Sequence, residues 1–400
     1  MPTLRRYSYV AFGVACAHLV FGAIVRISGS GMGCGDHWPR CYGSFFPPLN
    51  RPDLIIEVSH RYLASILLLS LVVLFVAAWR HRAEPGAGGP GGVLRSSALA
   101  VALGVSAALL GAMTVKLGNA PLATLAHWTV AMSLVATVVA TVIRAGGLGG
   151  AATRLREVSG KTKRGTLVGA AIALLAVVVG GLTAKYPGAS VACPSFPLCG
   201  TNPDVQGAAV HVQLTHRVLA VLLVLHLFGL FMAQRKHRES PIILRAATIA
   251  LSLGVLQLLV AGAMIGMHLP PVLRSLHEAT GVSIWIATFA LAYLARVSGD
   301  GHGVREPRVA STPVDLAGAG VVRASGSARH AFSTALADPP RKGAIEPKEP
   351  KEPWQTSADL SRAVGESDNR TSSLPLAAAK RSLSTMSHSV AVIVARGADV

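Results

Sequence analysis

A run of about twenty apolar residues crosses a bilayer as a helix, because a rise of about 1.5 Å per residue covers a hydrocarbon core of roughly 30 Å while every backbone polar group is paired internally. This chain carries eight such runs, at 7–26, 55–79, 96–116, 122–144, 166–184, 210–233, 242–266 and 274–297. They predict an all-α polytopic membrane protein of eight transmembrane helices with both termini on one side.

Charge then sets the expected orientation. The formal net charge is +18, which by itself could point to nucleic acid. The basic residues nevertheless collect at Arg5 and Arg6, at Arg80 and Arg82, at Arg154, Arg156, Lys161, Lys163 and Arg164, and at Arg235, Lys236 and Arg238. All of these clusters fall on the same side of an eight-span chain, so the positive-inside rule explains them without a nucleic-acid partner. The expected location is the cell membrane, multi-pass and surrounded by lipid, with both termini cytoplasmic. The first run lacks a small-residue cleavage site and reads as a retained helix rather than a signal peptide.

The first four runs and the last four repeat each other in detail. Gly22-Ala23-Ile24-Val25-Arg26 answers Gly181-Leu182-Thr183-Ala184-Lys185, and the first loop cysteine follows at the same distance in both. Cys34 and Cys41 answer Cys193 and Cys199, His60 answers His216, Gly111-Ala112-Met113-Thr114 answers Gly262-Ala263-Met264-Ile265, and His127 answers His277. An even number of spans per repeat gives both halves one orientation, related by a pseudo-twofold axis along the membrane normal. The expectation is two tandem pseudo-symmetric four-helix bundles, 1–145 and 166–297, joined by a basic cytoplasmic linker at 146–165. Beyond them, 298–400 turns to Pro, Ser, Gly, Ala and mixed charge. That composition predicts a disordered cytoplasmic tail, and the glycine-rich 85–92 connection reads as a flexible linker.

Ionisable side chains inside a membrane helix need a reason. His60, His127, His216 and His277 lie at equivalent places in two repeats, each within about two turns of the outer end of its helix by the 1.5 Å rise. Two neutral imidazoles facing across a bundle are natural axial ligands of a haem iron. One pair per bundle gives two haem sites at one depth. His18 and His226, which have no counterparts, read as interhelical hydrogen-bonded contacts, and His37, His211 and His268 as loop or interface residues.

Around these histidines stand further candidates. Arg61 and Arg217 each follow a histidine at the membrane surface, where a guanidinium either pairs with haem propionates or simply snorkels to the interface. The Cys-x₆-Cys and Cys-x₅-Cys spacings carry no adjacent ligand set for structural zinc, so disulfides are the stronger reading for Cys34 with Cys41 and for Cys193 with Cys199. Cys16, inside the first run, reads as a small buried apolar residue. Glu57 precedes His60 by three residues and shares its helical face. Its counterpart Gln213 exchanges no proton at ordinary pH, so only the first half has an acid or base beside its histidine.

Together these features resemble the haem A synthases, the CtaA-type membrane enzymes, over roughly residues 7–297. The resemblance rests on eight spans in two repeats, Glu57-x-x-His60-Arg61 with His127, His216-Arg217 with His277, and the paired loop cysteines. It implies oxidation of a methyl group of haem O to the formyl group of haem A, through a hydroxymethyl and a hydrated aldehyde, for terminal oxidase biogenesis. It makes His216 and His277 the ligands of a resident haem b. His60 and His127 become the ligands around the haem O substrate, with Glu57 assisting the oxidation. It also implies haem O synthase upstream and terminal oxidase assembly downstream, and is compatible with a homo-oligomer. The competing reading is a di-haem b membrane electron-transfer protein, a quinol or ferric reductase subunit. Against it, conduits across a bilayer place haems at both faces, whereas these histidines share one.

Overall fold

The computed structural model describes residues 1–154, 157–200, 202, 205 and 207–299. Among them eight helices are long and apolar enough to cross a membrane: Pro2–Ile27, Pro52–Arg80, Val93–Lys116, Pro121–Arg144, Gly160–Lys185, Ala208–Lys236, Pro241–Gly266 and Pro271–Val297. They are spans 1 to 8 below. Each begins one to six residues before its expected start, because the helix is already formed in the polar boundary ahead of the apolar run, and spans 3, 4, 7 and 8 end where expected. Proline opens spans 1, 2, 4, 7 and 8, where its missing N–H costs nothing. Ser159 and Ser240 cap spans 5 and 7 by accepting from the backbone N–H of Thr162 and Ile243.

The first four spans pack as a ring, 1 on 2, 2 on 3, 3 on 4 and 4 back on 1, and the last four repeat it as 5 on 6, 6 on 7, 7 on 8 and 8 on 5. Spans 1, 4, 5 and 8 form the seam between the rings. Span 4 meets span 5 and span 1 meets span 8, contacts that a twofold axis would exchange; spans 4 and 8 meet directly. Spans 4 and 8 are accordingly the most buried. Across the seam, the Trp285 indole N–H donates to the Met132 carbonyl at 3.0 Å. Two expectations about connections change. Span 5 begins at Gly160, inside the stretch read as linker, and a short helix at Gly150–Thr153 precedes it. The 85–92 connection is a compact turn: Val93 and Leu94 donate to the carbonyls of Gly86 and Ala87, and a Cβ on Gly88 would lie 2.2 Å from the Arg82 carbonyl oxygen. Glycine there serves close backbone approach rather than flexibility. The tail at 300–400 lies outside the described residues.

Candidate functional site: histidines at one depth

Helix register puts the four histidines at matched depth. His60 and His216 are each eight residues into spans that start at Pro52 and Ala208, and His127 and His277 each six residues into spans that start at Pro121 and Pro271. At about 1.5 Å per residue they sit roughly 12 and 9 Å below the helix starts. Those starts all belong to the end of the molecule that carries the cysteine loops; the basic clusters lie at the opposite end.

In the second ring, the His216 and His277 rings are 6.3 Å apart between centroids and nearly perpendicular, at 79°. Two metal–nitrogen bonds of about 2.0–2.1 Å, plus about 1.1 Å from each nitrogen to its ring centre, add up to nearly the same separation. His216 Nδ1 donates to the Ala176 carbonyl at 3.0 Å. A metal-binding histidine is held in this way, with its other ring nitrogen left to ligate. The wall of span 5 is glycine at this point: a Cβ on Gly180 would lie 2.8 Å from His216 Cε1. On the other side, the Gln257 amide lies 3.1 Å from His277 Nδ1.

The first ring matches this only in part. His127 Nδ1 donates to the Ala107 carbonyl at 2.9 Å, and Gly111 gives the ring space, with a virtual Cβ 3.3 Å from Cε1. Gly22 does the same for His60, again at 3.3 Å. His60 Nδ1, however, is buried with no hydrogen-bond partner. Its ring is stacked on His18, with centroids 4.3 Å apart and planes 5° from parallel. His18 therefore belongs to the site rather than to an isolated hydrogen-bonded contact, and its Nε2 is likewise unpartnered. Nothing in the repeat pattern signals it, since the second half has no histidine there. By contrast His226 Nε2 donates to the Gly165 carbonyl at 2.8 Å, an ordinary interhelical hydrogen bond.

Glu57 and Gln213 share one structural task. Glu57 Oε2 accepts from the Cys34 backbone N–H at 2.8 Å, and Gln213 Oε1 accepts from the Cys193 N–H at 2.6 Å. Both side chains are buried, and each ties the first cysteine of a loop to the helix that bears the histidine. The cysteines pair as Cys34–Cys41 and Cys193–Cys199 disulfides, and the first packs with Leu54 and Val58. The arginines differ. Arg61 forms an ion pair with Glu57 Oε1 and donates to the Pro39 carbonyl, whereas Arg217 donates to the carbonyls of Cys193, Ser195, Pro197 and Leu198. Both guanidiniums brace the loops that roof the histidine pairs.

Sequence reasoning missed two further features. Arg26, at the end of span 1, forms an ion pair with Glu278, the residue after His277, and so joins the two rings beside the second histidine pair. Trp128, the residue after His127, lies against the other ring, within 3.3 Å of a virtual Cβ on Gly181. Among the described residues no cluster of three or more His, Cys, Asp or Glu side chains is built to hold a bare metal ion.

Histidines at matched depth under disulfide-closed loops, repeated in two rings, are matched by comparison with known proteins. The model of the COX15-CtaA family, cytochrome oxidase assembly protein, matches residues 5–289. This chain belongs to that family. Among curated members, the heme A synthase of Shouchella clausii (strain KSM-K16) is 31% identical over 241 residues, covering 59% of this chain and 77% of that protein. The heme A synthase of Bacillus cereus (strain 03BB102) is 29% identical over 248 residues, 60% of this chain and 77% of the relative. The family match takes in both histidine pairs, both disulfides and all but the last residues of span 8.

Proposed function

We propose that the protein is a haem A synthase, an oxidoreductase that converts a methyl group of haem O to the formyl group of haem A for terminal oxidases. The observation that carries the reading is the pair of matched histidine sites at one depth, of which the first alone has a carboxylate, Glu57, where the other has an amide, Gln213; the carboxylate beside the second site, Glu278, is taken up by Arg26. His216 and His277 suit a resident haem b: ring centres 6.3 Å apart, a tautomer fixed by the Ala176 carbonyl, and a glycine, Gly180, where span 5 has to clear the His216 ring. That haem would supply a one-electron redox centre. His60 and His127 hold haem O as substrate in the first ring, and Gly22 and Gly111 leave the two imidazoles room beside spans 1 and 3.

The chain's own contribution to chemistry centres on Glu57. Its carboxylate lies one helical turn from His60 and is positioned by the Cys34 N–H and by Arg61. Oε2 stays on the loop, and Oε1, once released by Arg61, is the oxygen that can take a proton from the substrate site. Gln213 keeps the loop contact and lacks that capacity, which suits a site that only binds. The disulfide end faces the outer, oxidising side, and both termini face the cytoplasm, as the basic clusters require. Haem O synthase would then supply the substrate and terminal oxidase assembly would receive the product.

The test is expression with a haem O supply, followed by extraction and chromatographic identification of the haems. Haem A should accumulate with the wild-type chain and disappear with His60→Ala. Purified protein that carries two haems yet never yields haem A would overturn the reading.

A further inference from the structure

Part of the first disulfide loop lies along the flank of span 2. The Tyr62 hydroxyl donates to the Phe45 carbonyl, and the Phe46 and Tyr62 rings are 6.4 Å apart between centroids. Tyr62 is ten residues into span 2, so the contact is made about 15 Å along the helix. Arg61 holds the loop on the same helix by donating to the Pro39 carbonyl. Between these two holds, Cys41 and Ser44 exchange backbone hydrogen bonds across a tight turn, and the Ser44 hydroxyl accepts from the Phe46 N–H. The backbone is thus pinned where the side chains are bare: Phe46 is 81% exposed and Leu49 89%.

The neighbouring surface identifies what covers them. Tyr62, Ile66, Leu69 and Val73 are all exposed, and their spacing puts them on one face of span 2. On a membrane-crossing helix an exposed apolar stripe faces acyl chains, and Phe46 extends this one at its disulfide end. At the other end of span 2 Trp79 is exposed, with the Arg82 guanidinium over its ring. Tyr62 and Trp79 are separated by about 25 Å of helix, close to a hydrocarbon core of roughly 30 Å. Aromatic rings at both limits of the hydrocarbon mark the two interfaces. Arg40, whose guanidinium lies 4.9 Å over the Phe45 ring, forms no ion pair among the described residues, which suits the level of lipid phosphates. We propose that residues 45–49 are a lipid-binding element, with Phe46 and Leu49 seated among the acyl chains of the leaflet on the disulfide side. The same loop supplies the Cys34 N–H to Glu57 and the Pro39 carbonyl to Arg61. The bilayer thereby clamps the roof of the first histidine site against span 2.

The experiment is spin labelling of the full chain in vesicles of phosphatidylcholine and phosphatidylglycerol, with Cys16→Ala and both disulfides intact. Nitroxides on Phe46→Cys and Leu49→Cys are compared with one on Leu69→Cys, in the exposed stripe, and one on Ala83→Cys, beyond the opposite end of span 2. Power saturation of the electron paramagnetic resonance reads collisions with oxygen, which concentrates in lipid, against collisions with a water-soluble nickel chelate. The oxygen-to-nickel ratio at 46 and 49 should stand severalfold above that at 83, toward that at 69. A ratio at either position equal to that at 83 overturns the proposal by placing the segment in water. A label shielded from both reagents overturns it in favour of a protein partner or a second copy of the chain. If Phe46→Cys fails to fold, Leu49→Cys decides alone.

Discussion

The buried Glu57 carboxylate and the buried Gln213 amide occupy one register and accept one kind of bond, the N–H of a loop cysteine. A glutamine at 57 would therefore keep the loop anchored, and Glu57→Gln separates anchoring from proton handling. We expect the variant to fold with its Cys34–Cys41 disulfide intact, and to lose haem A formation by about 10²–10⁴-fold, the usual contribution of a positioned acid or base. Near-normal haem A from this variant would reduce Glu57 to a loop anchor. The sequence comparison revealed the mismatch but not the shared bond, because a hydrogen bond to a backbone N–H leaves no trace in residue types. Gln257 was not legible from the repeat, because the match of Gly111 to Gly262 pairs residue 107 with Leu258. His18 was not: an unmatched histidine shows its stacking on His60 only once spans 1 and 2 are packed.

At the scale of elements, the helices were legible because hydropathy and length alone define a span. Their ends were less so, since capping serines and opening prolines act outside the apolar run. The glycines divide by what faces them, which hydropathy cannot show. Gly180 sits against His216, whereas nothing lies within 4 Å of a virtual Cβ on Gly229 in span 6. Gly180→Ala is expected to push the ring aside, to destabilise the protein by about 1–3 kcal/mol through overpacking, and to reduce bound haem in the purified protein. Gly229→Ala should stabilise it by about 0.5–1 kcal/mol, as removing a mid-helix glycine does. Equal thermal midpoints and equal haem contents for the two variants would contradict the assignment of span 5 as a wall of the site.

For the whole molecule, the seam is where the two halves become one protein. The Arg26–Glu278 pair is mostly shielded, with side-chain exposures of 23% and 11%. Glu278→Gln should lower stability by about 1–3 kcal/mol, since a shielded guanidinium loses its charged partner, read as a lower thermal midpoint in detergent. Because every candidate residue lies between 18 and 278, a chain stopped after residue 305 should form haem A at the wild-type level in the same expression assay. Impermeant thiol labelling of single cysteines placed at the exposed residues 83 and 268 of a chain otherwise freed of cysteine tests the orientation, with 268 expected to react in intact cells and 83 only after lysis. The duplication with an even number of spans has one more consequence. Both histidine sites lie at one depth near the same end of the spans, so under the proposed function a porphyrin would arrive, react and depart within one leaflet, and its two carboxylates would never have to be dragged through the hydrocarbon.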